Sequence, residues 1–335
     1  MKTNNKGEIM NNLKKVGLTA LAGSLAAISA NAAELSVSGA SVLTYTSEDA
    51  SETTGNPFGM KTNIGFTASG DVNGYTVSYM QTSADQFAGM SSARLSIDMG
   101  DMGLIAFDQG SGSGLSTIDD KTPTAAEEIW DGLDGLTAGG LVGASSSGAW
   151  NYVVTAGGVN INASLVTGSA TKNADGASSG DGNGGHSMDV ALTAGEDTTG
   201  VAGLNVGLGY GEIANGNQST GDDEHSTIFA NYSMGMATFG MQYSEIDVIN
   251  GTDQENTAWG LAVNVNDNLS ISYGEREIDF KPVSGLITTE EGEGLAVAYT
   301  MGSIKIAGNR NEVTNNNGTA ASNDAMTEIA VSFAF

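Results

Sequence analysis

From Glu34 to the carboxyl terminus, apolar residues recur at every second position in segments about ten residues long, the length a tilted strand needs to cross a bilayer. In Glu34 to Thr46, Leu35, Val37, Leu43 and Tyr45 share one face, and Ser36, Ser38, Thr44 and Thr46 share the other. Ile64, Phe66 and Ala68 then alternate with Asn63, Gly65 and Thr67. A tight turn at Asp71 to Gly74 leads into Tyr75, Val77 and Tyr79. The pattern continues to Ile329, Val331, Phe333 and Phe335, for sixteen segments in all. The fifth is the least regular, because Leu104 and Ala106 oppose Ile105 and Phe107.

The connections alternate as well. Long polar loops near 47–59, 84–90, 110–147, 168–186, 211–225, 246–256, 278–292 and 311–324 are separated by short turns such as Gly157-Gly158, Gly235-Met236 and Asn266-Asp267-Asn268. One turn, 195–202, is longer than the others at its end of the molecule. An even number of antiparallel strands with short turns at one end and long loops at the other predicts a transmembrane β-barrel. A bilayer demands closure of such a sheet, since an unpaired edge in hydrocarbon costs several kcal/mol per group. All nine Tyr residues fall on the apolar faces, where their rings can sit at headgroup level. A soluble sandwich would not explain the asymmetry of the two ends, and no fixed repeat indicates a solenoid.

Charge and targeting agree with export. Lys14 and Lys15 precede a mildly apolar stretch, Val16 to Ala30, that ends in Ala30-Asn31-Ala32, a small-x-small cleavage pattern; residues 1–32 read as a signal peptide and 33–335 as the barrel domain. Counted from Met10 the signal has ordinary proportions, so residues 1–9 read as an extension from an upstream start codon. Four of the 12 basic residues and one of the 39 acidic ones lie in this segment, leaving 8 and 38 and a formal charge of −30. Such a charge disfavours nucleic acid and anionic surfaces and favours cations. The absence of Cys means that no disulfide holds the exported chain.

Three stretches, AELSVSGASVLTY at the start of the mature chain, IDDKTPTAAEEIWDG in the third long loop and EIAVSFAF at the end, resemble the general-diffusion porins of Gram-negative bacteria, in their alphaproteobacterial branch. The resemblance implies an all-β, sixteen-stranded antiparallel outer-membrane barrel, a homotrimer, and a third external loop, 110–147, folded into the lumen as the constriction. It also implies that Phe335 is the signal read by barrel-assembly machinery. In the family, acids on this loop face a basic cluster on the wall. The candidates here are Asp119, Asp120, Glu127, Glu128, Asp131 and Asp134, opposite Lys61, Arg94 and Arg276, which point inward by parity. That basic set is sparser than is usual in the family.

Rings of Asp and Glu favour cations. Roughly half of the six acids are expected at the eyelet, the others facing outward or capping the loop. Thr124 with Glu127 fits a capping box, and Ala125, Ala126, Ile129 and Leu133 predict a short helix inside the loop. For Lys61 and Arg94 the alternative is a local bridge that pins the loop to the wall. No cofactor is indicated. The oxygen-rich runs 173–185 and Asp222, Asp223, Glu224 offer hard-cation chemistry such as Ca²⁺ binding, or bridging to lipopolysaccharide, without EF-hand spacing. The two histidines, His186 and His225, fall in loops, and His225 beside its acidic neighbours is no catalytic constellation. The resulting expectation is a passive channel for small hydrophilic solutes and cations in the outer membrane, without catalysis. The alternatives are a substrate-specific channel for cationic solutes and a plugged adhesive or structural barrel.

Overall fold

The computed structural model describes residues 34–48, 55–84, 92–109, 114–135, 137–144, 147–167, 186–214, 221–282 and 287–335. Residues 1–32, read above as a signal peptide, and the run 173–185 lie outside them. Sixteen strands form one closed antiparallel barrel. They are β1 (Glu34–Glu48), β2 (Phe58–Val72), β3 (Tyr75–Ala84), β4 (Ser92–Asp98), β5 (Leu104–Gln109), β6 (Ser147–Ala156), β7 (Val159–Val166) and β8 (Ser187–Ala194), followed by β9 (Leu204–Ile213), β10 (Asp223–Met234), β11 (Ala237–Asp247), β12 (Thr252–Asn264), β13 (Leu269–Pro282), β14 (Glu290–Met301), β15 (Ile304–Thr314) and β16 (Asp324–Ala334). Each pairs with its neighbours in sequence, and β1 closes on β16 from Ala40↔Ala334 to Glu48↔Met326. Gly39 and Phe335 complete the seam by exchanging backbone hydrogen bonds of 2.8 and 2.9 Å. No edge remains open to hydrocarbon.

Burial is inverted relative to a soluble protein. The residues that alternate outward, Leu35, Val37, Leu43, Phe66, Leu208, Ile228 and Leu295 among them, are exposed, whereas inward neighbours such as Asn151, Ser164, Gln242 and Ser272 are buried. Aromatic rings pack edge-on across the outer face, Tyr45 on Phe58 at 5.4 Å and Trp259 on Tyr273 at 5.7 Å. Their polar tips find acids nearby: Tyr273 OH donates to Glu275 and Glu293 at 2.8 and 2.6 Å, and Trp259 Nε1 donates to Glu275 at 3.2 Å. Amphipathic rings of this kind sit where hydrocarbon gives way to water.

Local chemistry explains the turns. The β2–β3 hairpin has both central residues in the left-handed region, Asn73 at φ 56° and Gly74 at φ 86°, as a two-residue Asn-Gly connection requires. Asp71 Oδ1 accepts from the Gly74 N–H at 3.1 Å. The overlong connection 195–202 contains a one-turn helix, α1 (Glu196–Thr199). Thr198 Oγ1 in it donates to the Gly158 carbonyl of the neighbouring turn at 2.8 Å, so the two turns brace each other.

At the other end, several strands run further than the apolar alternation. Residues 211–213, 223–225, 252–256, 278–282, 290–292 and 311–314, expected in loops, continue the ladder. Beyond the hydrocarbon both faces of a strand can be polar, so the pattern fades while the backbone pairing persists. His225 is therefore on β10, not in a loop.

Candidate functional site

The third long connection, between β5 and β6, turns into the barrel and lies against its inner wall. Its first described residues form a 3₁₀ turn, Gly114–Thr117, and its return arm another, Thr137–Gly140. Leu115, Ile118 and Leu141 of the two arms bury themselves against Ala191, Phe229 and Ile246 of the wall, a small apolar core inside a polar lumen. Phe229 escapes a reading of β10 because it alternates with Ile228 and Ala230 on the lipid side, and only the loop explains a large aromatic on the inner face.

The helix expected at Thr124 to Leu133 does not form. Local bonding here is limited to two turns, the Asp131 N–H donating to the Glu128 carbonyl at 3.1 Å and the Leu133 N–H to the Trp130 carbonyl at 3.2 Å, and other backbone groups are bonded to wall side chains. The Ala125 N–H donates to Ser272 Oγ at 2.8 Å, and the Glu128 and Asp131 carbonyls accept from Asn311 Nδ2 at 3.0 and 2.9 Å. The Asp134 N–H donates to Asp324 at 2.8 Å. Upstream, Gln242 accepts from the Lys121 N–H at 2.6 Å and donates to the Ile118 and Asp119 carbonyls at 2.8 and 3.1 Å. Asn231 Nδ2 donates to the Lys121 carbonyl at 2.7 Å.

The two arms meet at one carboxylate. Asp189 on β8 accepts from the Leu115 N–H at 3.0 Å with Oδ1 and from the Ala144 N–H with Oδ2. His225 adds a bond to the return arm, its Nδ1 accepting from the Val142 N–H at 3.2 Å. The histidine is thus engaged with backbone. Asp223 and Glu224 next to it are successive strand residues and face opposite sides of the wall, while Asp223 Oδ1 accepts from the Ile249 N–H at 2.9 Å. Among the described residues no group of three His, Cys, Asp or Glu side chains is placed to hold a metal ion.

The six loop acids are used differently. Asp119 Oδ1 accepts from the Asp120 N–H at 3.0 Å, and Asp120 Oδ1 from the Thr122 N–H and hydroxyl at 2.9 and 2.8 Å, so both carboxylates turn onto the loop's own backbone. Glu127, Glu128 and Asp131 make no side-chain hydrogen bond among the described residues, and Glu127 and Asp134 are exposed. Partial loss of water to the surrounding loop and wall pushes the carboxyls of Asp119, Asp120, Asp131 and, although its side chain is exposed, Glu127 above their ordinary range. For Glu127 the neighbouring Asp131 and Glu128 add to that shift, while Lys305 and Lys61 oppose it. For Asp131, Glu328 and Glu128 add and Lys61 opposes.

One group of charges is therefore gathered where loop and wall approach, with Glu127, Glu128 and Asp131 on the loop and Lys61 of β2, Lys305 of β15 and Glu328 of β16 on the wall. Lys305 and Glu328 were legible by the same parity that picks out Lys61, since Ile304 and Ile306 flank the one and Ile329 follows the other. The two arginines sit elsewhere. Arg94 Nη2 donates to Asn151 at 2.6 Å, and Asn151 donates to Asn162, which accepts from the Gly114 N–H at 3.0 Å; Arg94 thus belongs to a chain that ends at the loop's first turn. Arg276 faces inward but is buried under the loop, its side chain 3% exposed, paired with Glu290 at 2.5 Å and stacked 5.0 Å beneath the Trp130 ring.

A closed barrel with an apolar outer belt, a polar interior and its own longest loop held within the lumen is an outer-membrane channel. The chain belongs to the Gram-negative porin family, whose defining pattern matches residues 17–335. Among curated protein sequences none matches it. Solved structures share the fold: an anion-selective porin from Comamonas acidovorans aligns at 13% identity and TM-score 0.65 over 91% of this chain and all (100%) of its own. An outer membrane protein of Vibrio cholerae, solved in a trimer form, aligns at 15% identity and TM-score 0.63 over 91% of this chain and 100% of its own. A porin refined at 1.8 Å resolution aligns at 17% identity and TM-score 0.63 over 90% and 100%.

Proposed function

We propose that this porin is a passive, cation-preferring channel for small hydrophilic solutes, working as a homotrimer. The supporting observation is the charge group where loop and wall approach, in which four carboxylates, Glu127, Glu128, Asp131 and Glu328, oppose two ammonium groups, Lys61 and Lys305. An acid-rich constriction attracts cations and repels anions, and solutes pass by exclusion without coupled energy. The barrel does not decide the sign by itself, since the Comamonas acidovorans protein of the same fold is anion-selective. Asp119 and Asp120 then act as turn formers, and Arg94 and Arg276 as anchors of the loop. The trimer form of the Vibrio cholerae protein supports the assembly state. Outer-membrane lipids, lipopolysaccharide included, would cover the outer belt, and Phe335 at the end of β16 is the residue that assembly machinery would read.

The test is the zero-current potential of purified protein in a planar bilayer under a KCl gradient. Wild-type protein is expected to be cation-selective. The combined substitutions Glu127→Gln, Glu128→Gln and Asp131→Asn should remove that preference. A triple variant with the selectivity of wild type would refute the assignment of these acids to the eyelet.

A further inference from the structure

The lumen wall beneath the loop carries a row of glycines that the strand register places side by side. Gly240 of β11 pairs with Gly260 of β12, Gly260 with Gly274 of β13, and Gly274 with Gly294 of β14. Four consecutive strands thus present bare backbone at one level. An asparagine stands at each end, Asn231 opposite Gly240 and Asn311 opposite Gly294. These are the asparagines that hold the loop carbonyls of Lys121 at one end and of Glu128 and Asp131 at the other.

Between those two ties the loop rests on the glycines. A β-carbon built on Gly240 would lie 2.5 Å from Pro123 Cδ, on Gly260 2.8 Å from the Pro123 carbonyl oxygen, on Gly274 3.3 Å from Ile129 Cγ2 and on Gly294 2.8 Å from Ile129 Cβ. It would also meet the wall itself, Asn231 Oδ1 closer still from position 240, the Trp259 carbonyl oxygen at 2.8 Å from 274 and Asn311 Oδ1 at 2.7 Å from 294. All are tighter than ordinary van der Waals contact. None of the four has a left-handed φ, so the backbone would accept any residue. What each position lacks is room beneath the loop. Gly292, two residues from Gly294 on the same inner face, is different: its β-carbon would meet nothing closer than 3.8 Å.

We infer that the Gly240–Gly260–Gly274–Gly294 track fixes how deeply the loop sits, and so determines the aperture of the channel independently of the charges that give its sign. The inference rests on the channel reading above. A side chain on the track presses on Pro123 or Ile129, and at positions 240 and 294 it also displaces the asparagine that ties the loop, so either way it lifts the loop off the wall. The stretch between them carries Glu127, so lifting it moves the loop toward the lumen and narrows the passage.

The experiment is single-channel conductance in planar bilayers of wild type, Gly240→Ala, Gly294→Ala and Gly292→Ala, each first checked for heat-modifiable migration as folded barrel. Gly240→Ala and Gly294→Ala are expected to lose conductance and Gly292→Ala to keep it. Pro123→Ala removes the loop atoms that a side chain at 240 meets and leaves only the end of the Asn231 side chain to turn aside, so Gly240→Ala with Pro123→Ala should recover part of the conductance lost in Gly240→Ala alone. Equal conductance in all three glycine variants would overturn the inference while leaving the channel reading intact. Failure of both track variants to fold, with Gly292→Ala folding normally, would also overturn it, by making the glycines a requirement of assembly. Folded wild-type protein that conducts nothing would refute the channel reading and the inference with it.

Discussion

Removing the Asp189 carboxylate should unfasten the loop without unfolding the barrel. Asp189 accepts from Leu115 on the entering arm and from Ala144 on the returning one, so a single side chain closes the neck of the loop. Asp189→Ala leaves two N–H groups without acceptors in a buried place, at about 1–3 kcal/mol each and so roughly 2–6 kcal/mol in all. Those groups belong to the loop, whereas the carboxylate's other partner, Ser164 of β7, keeps its register pairing with β8 when the side chain is removed. The cost therefore falls on the closed neck. At roughly 1.4 kcal/mol per factor of ten, even the lower figure raises the population of an opened neck about 30-fold. Gln242, Asn231, Ser272, Asn311 and Asp324 still hold the middle of the loop. The expected phenotype is thus flicker rather than a permanently wider pore. Single-channel records of Asp189→Ala should show added current noise and transient high-conductance states, and limited proteolysis should cut the loop faster than in wild type. Asp189→Asn keeps one acceptor oxygen and should fall between. A quiet channel with wild-type protease resistance, from protein that migrates as folded barrel, would refute the staple.

Three further outcomes follow. Lys61→Gln and Lys305→Gln each remove a positive charge facing Glu127, so cation preference measured by zero-current potential should rise in both. Partial loss of water raises the carboxyls of Glu127 and Asp131, and such groups gain protons at a higher pH than fully solvated acids near 4. Lowering the pH should therefore reduce cation preference starting above that value, and a preference constant down to about pH 4 would contradict it. Arg276→Met strands Glu290 as a buried unpaired charge, which costs on the order of 3–5 kcal/mol, whereas Arg276→Met with Glu290→Leu should recover most of the loss; thermal unfolding of the detergent-solubilised barrel reads both.

The strand plan was legible because the bilayer imposes a two-residue period on every crossing. Leu35, Val37, Leu43 and Tyr45 already show which face meets lipid, and the same parity places Lys61 and Arg276 inside. Parity says nothing about what lies on top of an inward residue, and this is why Arg276 reads as a pore lining residue although Trp130 covers it. The loop was legible in length and charge but not in conformation. Ala125 to Leu133 has helical spacing, yet beyond two local turns its backbone is held by Ser272 and Asn311, residues about 150 to 180 positions away in the chain. Local propensity cannot register such partners. His225 and Phe229 are missed for the same reason, since their partners Val142, Leu115 and Leu141 come from a distant segment.

How the sparse basic residues are used bears on the proposed cation preference, since only eight of the chain's 12 lie in residues 33–335. Arg94 and Arg276 face inward, but one is tied into the Asn151–Asn162 chain and the other is neutralised by Glu290, so neither offers its charge to a passing ion. Arg310 lies on the outer face, bonded to Glu312 at 2.8 Å, and Lys281 pairs with Glu255 on the same face. Lys121 lies on the loop, where its charge acts on Asp119. Apart from Lys172, outside the described residues, that leaves Lys61 and Lys305 to oppose the carboxylates at the narrowing. Arginine's planar fork suits it to fixed bonds in the wall, and the two lysines, compact charges on flexible stems, are left at the passage. On the proposed reading, selectivity is set by which bases the loop's anchoring leaves unoccupied. An added lumen arginine should shift selectivity only where no wall acceptor lies within its reach.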